Sequence, residues 1–303
     1  MNDTESHDES CSTPSSTTSE PLRTKLRQRM LNILPGPFNS SERQSAWLQA
    51  LRIHTFDTDK YIIILQQSLQ HCPHLPNIIG DVQRTGTFKT LSLPIDDIGH
   101  LSQSLTRVLS AFFSCHSQLP YVQGINMIAS VLVAVLPESA AFYALEALFS
   151  NFISSFLFQN FNGVYSAISL VDRVLEFFDS NLYNHLRKSN CDSTLWCFPL
   201  VLTLLSIIPP LSEVIKLFDF FLAFRPCGPV IAILAIVSIV ISNRELLLNS
   251  RDPKVVLQSL SQNSTQNFQI NAELVVANMK LMIPLLPENL RSEIITCGRI
   301  VNG

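Results

Sequence analysis

Glycine is scarce in this sequence: 9 in 303 residues, against 47% hydrophobic residues. Glycine supplies the tight turns that short-stranded sheet proteins use repeatedly, so its scarcity argues against an all-β sandwich or barrel and makes helices the default. Charge is scarce too, at 15% of residues, and the two signs nearly cancel to a net −3 with an isoelectric point near 6.2. That leaves no broad basic field of the kind that neutralises a nucleic-acid backbone, so no nucleic-acid partner is expected. The seven cysteines (Cys11, Cys72, Cys115, Cys191, Cys197, Cys227, Cys297) are odd in number and scattered. They do not read as a secreted disulfide framework and point to a reducing compartment.

Self-contained catalytic signatures are also missing. There is no Walker-type glycine loop, no Gly-x-Ser-x-Gly elbow and no His-Glu-x-x-His, which removes the obvious nucleotide, hydrolase and zinc sites. His71, Cys72 and His74 resemble half of a metal site, but no matching pair follows, so they read as a polar helix end and no metal is expected. Residues 1–20 hold ten Ser or Thr and five acids without an apolar stretch. They carry no secretory signal and read as a disordered leader, solvated or phosphorylated at Thr13 and the acid-flanked serines. Two apolar runs, Leu195–Leu211 and Pro226–Ser242, are 17 residues long, the lower edge of a membrane span. Pro199, Pro209 and Pro210 interrupt the first, and Pro226 and Pro229 open the second. Buried helices are therefore the favoured reading, with no transmembrane segment; a small polytopic membrane protein is the alternative.

What is present is helical periodicity. Leu101, Leu105, Val108, Leu109 and Phe112 fall on one face of a helix over about 97–113, and Ile168, Val171, Leu175 and Phe178 make a stripe over 164–179. Asn39 with Glu42 reads as a start box for a helix through Ala46, Trp47 and Ala50, and Asp57 or Thr58 caps the next. Further helices are expected at 124–136, 139–157, 195–207, 211–224, 229–249, 253–262 and 271–283, with Asp252 capping Pro253. The fold class is all-α, expected as one domain over 21–303 with its core over about 38–290.

Two segments stand out chemically. Ile78-Ile79-Gly80-Asp81-Val82-Gln83-Arg84-Thr85 lies between Pro76 and Gly86, which puts Arg84 at a helix end or on a loop, held by the neighbouring Asp81. Tyr121-Val122-Gln123-Gly124-Ile125-Asn126 follows Pro120 and precedes an apolar helix, which puts Gln123 near a helix N-terminus, with Gly124 permitting close backbone approach. Singly, each has a plain structural reading: Arg84 pairs with Asp81, and Gln123 caps a helix.

In combination, and in this order, they resemble the TBC family of GTPase-activating proteins. The resemblance rests on Ile78, Asp81, Arg84 and Thr85, then on Tyr121, Gln123, Gly124 and Asn126, with Ile125 where the family has methionine. Arg43 and Trp47 look like its opening Arg-x-x-x-Trp helix, and Leu217-Phe218-Asp219 like its later Leu-Trp-Asp. Asn162-Gly163, Pro199 with Leu202-Thr203-Leu204, and Val214 to Asp219 are most similar to the short members of fungal mitotic-exit and septation checkpoints. The resemblance implies a multi-helix TBC domain in which Arg84 and Gln123 are the catalytic fingers. Asp81, Thr85, Tyr121, Gly124 and Asn126 would support them or meet the GTPase, while Arg43, Trp47 and Asp219 would be structural. It implies no cofactor of the chain's own, since GTP and Mg are bound by the partner, a small Rab-like GTPase. It further implies a second activator subunit and a cytoplasmic and spindle-pole location. A catalytically silent scaffold with the same domain is the alternative, and the Gly-Thr-Phe run after Thr85 bears on how Arg84 is presented.

Overall fold

The chain alternates apolar stripes with short polar breaks, and the computed structural model, which describes residues 20–157, 159–249 and 270–299, is built from helices. No β-strand occurs among the described residues. The elements near the site are α1 (Glu20–Met30), α2 (Ser41–Ala50), α3 (Thr58–His71), α4 (Leu75–Arg84), α5 (Ile95–Cys115), α6 (Ile125–Val135) and α7 (Glu138–Asn151). They are followed by α8 (Ser154–Leu157), α9 (Asn162–Phe178), α10 (Ser180–Lys188), α11 (Ser193–Leu202), α12 (Leu211–Ala223), α13 (Ala232–Ser242) and α14 (Arg244–Asn249). Two more helices, Ala272–Met282 and Glu288–Thr296, close the described chain. Helix α5 packs along α3 and against α6 and α7; α9 packs against α10, α11 and α13. Helix α12 bridges α2, α6 and the helix Ala272–Met282.

The apolar runs supply the core. Every residue of α13 from Ala232 to Val240 is buried, as is every residue of α6 except Met127. A helix apolar on all sides must be covered on all sides, which explains the second of the two runs that also suggested membrane spans. Among the described residues no single helix is long and apolar enough to cross a membrane. The pair Leu211–Ala223 and Gly228–Ser242 reaches that length only together, and it is bent by 117°.

Several boundaries depart from the sequence expectation for local reasons. The cap of α2 is Ser40, whose hydroxyl accepts the Arg43 N–H at 3.3 Å, rather than Asn39; Asp57 caps α3 as expected, accepting from Lys60 N–H. The helix expected over 139–157 breaks after Asn151, where Gly298 lies against the Phe152 carbonyl: a β-carbon at Gly298 would stand 2.0 Å from that oxygen. The helix expected over 195–207 stops at Leu202. The Thr203 hydroxyl bonds the Pro199 carbonyl, and Leu204 and Leu205 are left-handed. The helix expected over 229–249 is three pieces: a 3-10 turn Gly228–Ile231, α13, and α14 beyond Asn243, whose side chain donates to the Ile239 carbonyl. Helices α1, α10 and Glu288–Thr296, polar in composition and short, are not among those expected from the sequence. Of the leader expected over 1–20 only Glu20 is described, and it opens α1; the rest of it, the helix expected over 253–262 and its Asp252 cap lie outside the described residues.

Candidate functional site

Helix α4 carries Pro76 in its first turn and buries Ile78 and Val82, four apart, against the core. That orientation turns Asp81 inward, with its side chain 6% exposed, and leaves Arg84, the last residue of the helix, outward at 70% exposed. The Arg84 guanidinium bonds Asp81 Oδ1. On the other carboxylate oxygen, Tyr121 donates its hydroxyl at 2.9 Å. Burial first, and then this bond to Asp81, push the Tyr121 pKa upward, so the phenol keeps its proton and holds Asp81 in place. Its ring is fixed in turn between His74 and Phe113, with centroids 6.2 and 5.1 Å away. His74 thus supports the site through ring contacts.

Thr85 caps α4 and ties the two motif segments together. Its N–H and hydroxyl both donate to the Asp81 carbonyl, at 2.9 and 2.7 Å. The hydroxyl also accepts from Asn126 Nδ2 at 2.6 Å, and Asn126 Oδ1 accepts the Gly124 N–H at 3.0 Å. Asn126, at the start of the buried helix α6, thereby fixes the backbone immediately after Gln123. Gly124 has φ of 112°, a region that L side chains avoid, and a β-carbon there would stand 3.1 Å from Thr203 Cγ2. Gln123 itself is exposed; the cap at this helix start is Gly124, with no side-chain capping bond.

Arg84 and Gln123 share one cleft of about 400 Å³. Its lining also includes Asp81, Thr85, Asn126 and Met127, then Gly86, Thr87 and Thr90, and the run from Ser206 to Pro209. The run Gly86-Thr87-Phe88 does not leave the segment loose after Arg84. Phe88 is 2% exposed and anchors a 3-10 turn, Thr87–Leu91, and Thr90 accepts the Leu211 N–H at 3.0 Å. The arrangement presents one cation and one amide at an open depression of mixed polar and apolar lining, with no nucleophile–base pair among the lining residues.

The structure brings Asp81, Arg84, Thr85, Tyr121, Gln123, Gly124 and Asn126 together, and separates them from Arg43, Trp47 and Asp219, which form a buried cluster. Arg43 Nε and Nη2 bond the Asp219 carboxylate at 3.0 and 3.1 Å, and Trp47 Nε1 donates to it at 2.7 Å. Arg43 spends its other protons on the Leu34 and Pro37 carbonyls, at 2.6 and 2.7 Å. Burial pushes the Asp219 carboxyl above its usual range, with Arg43 opposing. Sequence reasoning missed Thr90, Met127 and the wall from Ser206 to Pro209, and named Thr87 and Thr203 only within the Gly-Thr-Phe and Leu-Thr-Leu runs. Thr203 and the wall come from a distant segment, and for the wall only Pro209-Pro210, read as a helix breaker, gave any signal.

Residues 40–248 match the Rab-GTPase-TBC domain family. The chain is 32% identical over 72% of its length to a Dictyostelium discoideum protein described as a mitotic check point protein BUB2; the match spans 57% of that protein. It is 30% identical to cell division control protein 16 of Schizosaccharomyces pombe, over 83% of this chain and 79% of that one. The fold is similar to the solved Ypt/Rab-GAP domain of Gyp1p, with a TM-score of 0.69 at 17% identity, covering 87% of this chain and 93% of that one.

Proposed function

The chain belongs to the Rab-GTPase-TBC domain family, and we propose that it stimulates GTP hydrolysis by a small Rab-like GTPase, lending Arg84 and Gln123 to the partner's nucleotide site. GTP hydrolysis gathers negative charge on the phosphoryl oxygens while a water attacks in line, so positioning and electrostatic stabilisation carry the catalysis. GTP and Mg belong to the partner. Arg84 would neutralise charge near the β–γ bridge, and Gln123 would orient the water. The observation that carries this reading is that both side chains stand exposed on the rim of one cleft. Their two segments are tied through Asp81, Thr85 and Asn126.

A silent scaffold is the second reading, and one observation favours it: Arg84 is folded back on Asp81. The pair is one turn apart with its cation exposed to water and its carboxylate buried, so swinging the cation away leaves one carboxylate oxygen short of a donor, at about 1 to 3 kcal/mol. An arginine finger lowers the barrier by roughly 4 to 7 kcal/mol, from a rate gain of about 10³ to 10⁵. Swinging Arg84 out therefore costs less than it would supply.

The names of the two relatives, a mitotic check point protein and a cell division control protein, extend the proposal to control of cell division; the motif resemblance extends it further to mitotic exit and septation, with the chain as one subunit of a two-component activator in the cytoplasm and at the spindle pole. The test is a panel of Rab-like GTPases assayed for hydrolysis and for binding, with the chain alone and with a candidate second subunit. Stimulation of one GTPase that depends on the second subunit is expected. Binding without stimulation in every combination contradicts activation and leaves the scaffold.

A further inference from the structure

Four arginines meet at the opposite end of α12 from the cleft. Arg225, just past the helix, is half-buried; its guanidinium lies over the Phe152 ring, 5.7 Å from the centroid, and donates to the Ala50 carbonyl. Arg27 Nε donates to the Ala223 carbonyl at 2.9 Å, and Arg299 Nη2 to the Pro226 carbonyl at 3.0 Å, so both converge on the backbone flanking Arg225. Arg52 follows Ala50 by two residues. None of the four takes part in an ion pair among the described residues. Burial, and then the charges of Arg52, Arg27 and Arg299, lower the Arg225 pKa from its ordinary value. Like charges gathered without a carboxylate oppose folding, and an anion between them would remove that opposition.

The cluster is held by built features. A β-carbon at Gly228 would stand 2.5 Å from the Phe152 ring, and one at Gly298 would stand 2.0 Å from the Phe152 carbonyl oxygen. Both glycines therefore let the segments bearing Arg225 and Arg299 close on the same phenylalanine. Arg52 sits just beyond the end of α2 with φ of 64°, its N–H bonding the Gln49 carbonyl while Ile53 N–H bonds that of Leu48. That is the left-handed position where helices ordinarily place glycine. An arginine there carries backbone strain while its side chain makes no hydrogen bond among the described residues.

We propose that Arg27, Arg52, Arg225 and Arg299 form a docking site for a phosphorylated acidic segment of a partner protein. Guanidinium forks match phosphate oxygens bidentately, and clustered arginines are a recurring device for reading phosphorylated segments. Among the described residues no exposed large hydrophobic side chain lies within three residues of any of the four, so none there supplies the apolar anchor that accompanies basic clusters on membranes. Leu211 at one end of α12 lines the cleft and Ala223 at the other receives Arg27; the helix between them is about 18 Å long. A partner on the cluster leaves the cleft free for another protein.

The test uses the full chain and a labelled acidic peptide carrying two phosphoserines, followed by fluorescence anisotropy at low salt. The phosphopeptide binds and its unphosphorylated twin does not. Arg52→Gly and Arg299→Gln each weaken binding by about tenfold, and Arg52→Gly leaves the melting temperature unchanged or raised, since glycine relieves the left-handed backbone. Undiminished binding by both variants, or equal binding of the unphosphorylated twin, overturns the proposal. So does arginine-dependent capture by phosphatidylcholine vesicles doped with a phosphoinositide when the peptide fails to bind. No GTPase enters the assay, so its outcome is independent of the activity proposed above.

Discussion

Gly124 holds the backbone after Gln123 in a conformation that a side chain resists twice, through φ of 112° and through Thr203 Cγ2 at 3.1 Å from the position of a β-carbon. Gly124→Ala is expected to lower stability by about 1 to 2 kcal/mol, the usual cost of a left-handed L residue, and to displace Gln123 from the rim. Urea denaturation checks the first effect; a midpoint equal to wild type would show that the turn relaxes freely. Tyr121 is argued the same way. Tyr121→Phe removes the hydroxyl from Asp81 Oδ2, leaving one oxygen of a buried carboxylate short of a donor, and is expected to cost about 1 to 3 kcal/mol. The motif residues themselves were legible in the sequence because their chemistry is local: an acid one turn before an arginine, and a glycine before an apolar helix. The bonds that make them one site, Asn126 to Thr85 and Tyr121 to Asp81, join residues 41 and 40 positions apart. No spacing within either motif predicts them.

Among elements, the buried pair of Arg43 and Asp219 joins α2 to α12, and α12 in turn reaches the cleft at Leu211. Asp219→Ala leaves Arg43 charged, 2% exposed and unpaired, and is expected to cost about 3 to 5 kcal/mol. Replacing both residues by apolar ones of similar volume should recover only part of it, because Trp47 Nε1 and the Leu34 N–H lose their acceptor as well. Equilibrium unfolding of the single and double variants separates the two outcomes, and equal losses in both would place the stability in packing around the site rather than in the charge pair. At the end of α5, His116 Nε2 lies 2.8 Å from Glu146 on α7, and that bond first, against burial, raises the histidine pKa above 6.5. A raised histidine contributes stability that is complete below about 6.5 and is lost as pH rises through the folded value. The unfolding free energy of wild type minus that of His116→Gln should therefore shrink as pH climbs past neutrality, and a difference independent of pH would contradict the pairing. Long amphipathic helices such as α5 and α9 were readable because periodicity is a sum over many residues. The breaks at Asn151, Leu202 and Asn243 were not, because a distant backbone or one side chain bonding a carbonyl decides each of them.

For the molecule as a whole, a large helical scaffold presents two side chains from separate segments at one open cleft, and the account stands or falls on what they do to a bound GTPase. Fingers that act on the transition state change the rate of hydrolysis far more than the strength of association. The direct measurement is single-turnover GTP hydrolysis by the cognate GTPase with wild type, Arg84→Ala, Arg84→Lys and Gln123→Ala, with binding to the GTP-loaded partner measured in parallel. Arg84→Ala should slow stimulated hydrolysis by about 10³ to 10⁵. Arg84→Lys should fail to restore it, since a point charge does not span two oxygens, and Gln123→Ala should lower it by orders of magnitude, while binding by all three stays close to wild type. Equal hydrolysis rates across the series, or losses of activity that track losses of binding, would contradict the account and leave Arg84 and Gln123 as ordinary contact residues.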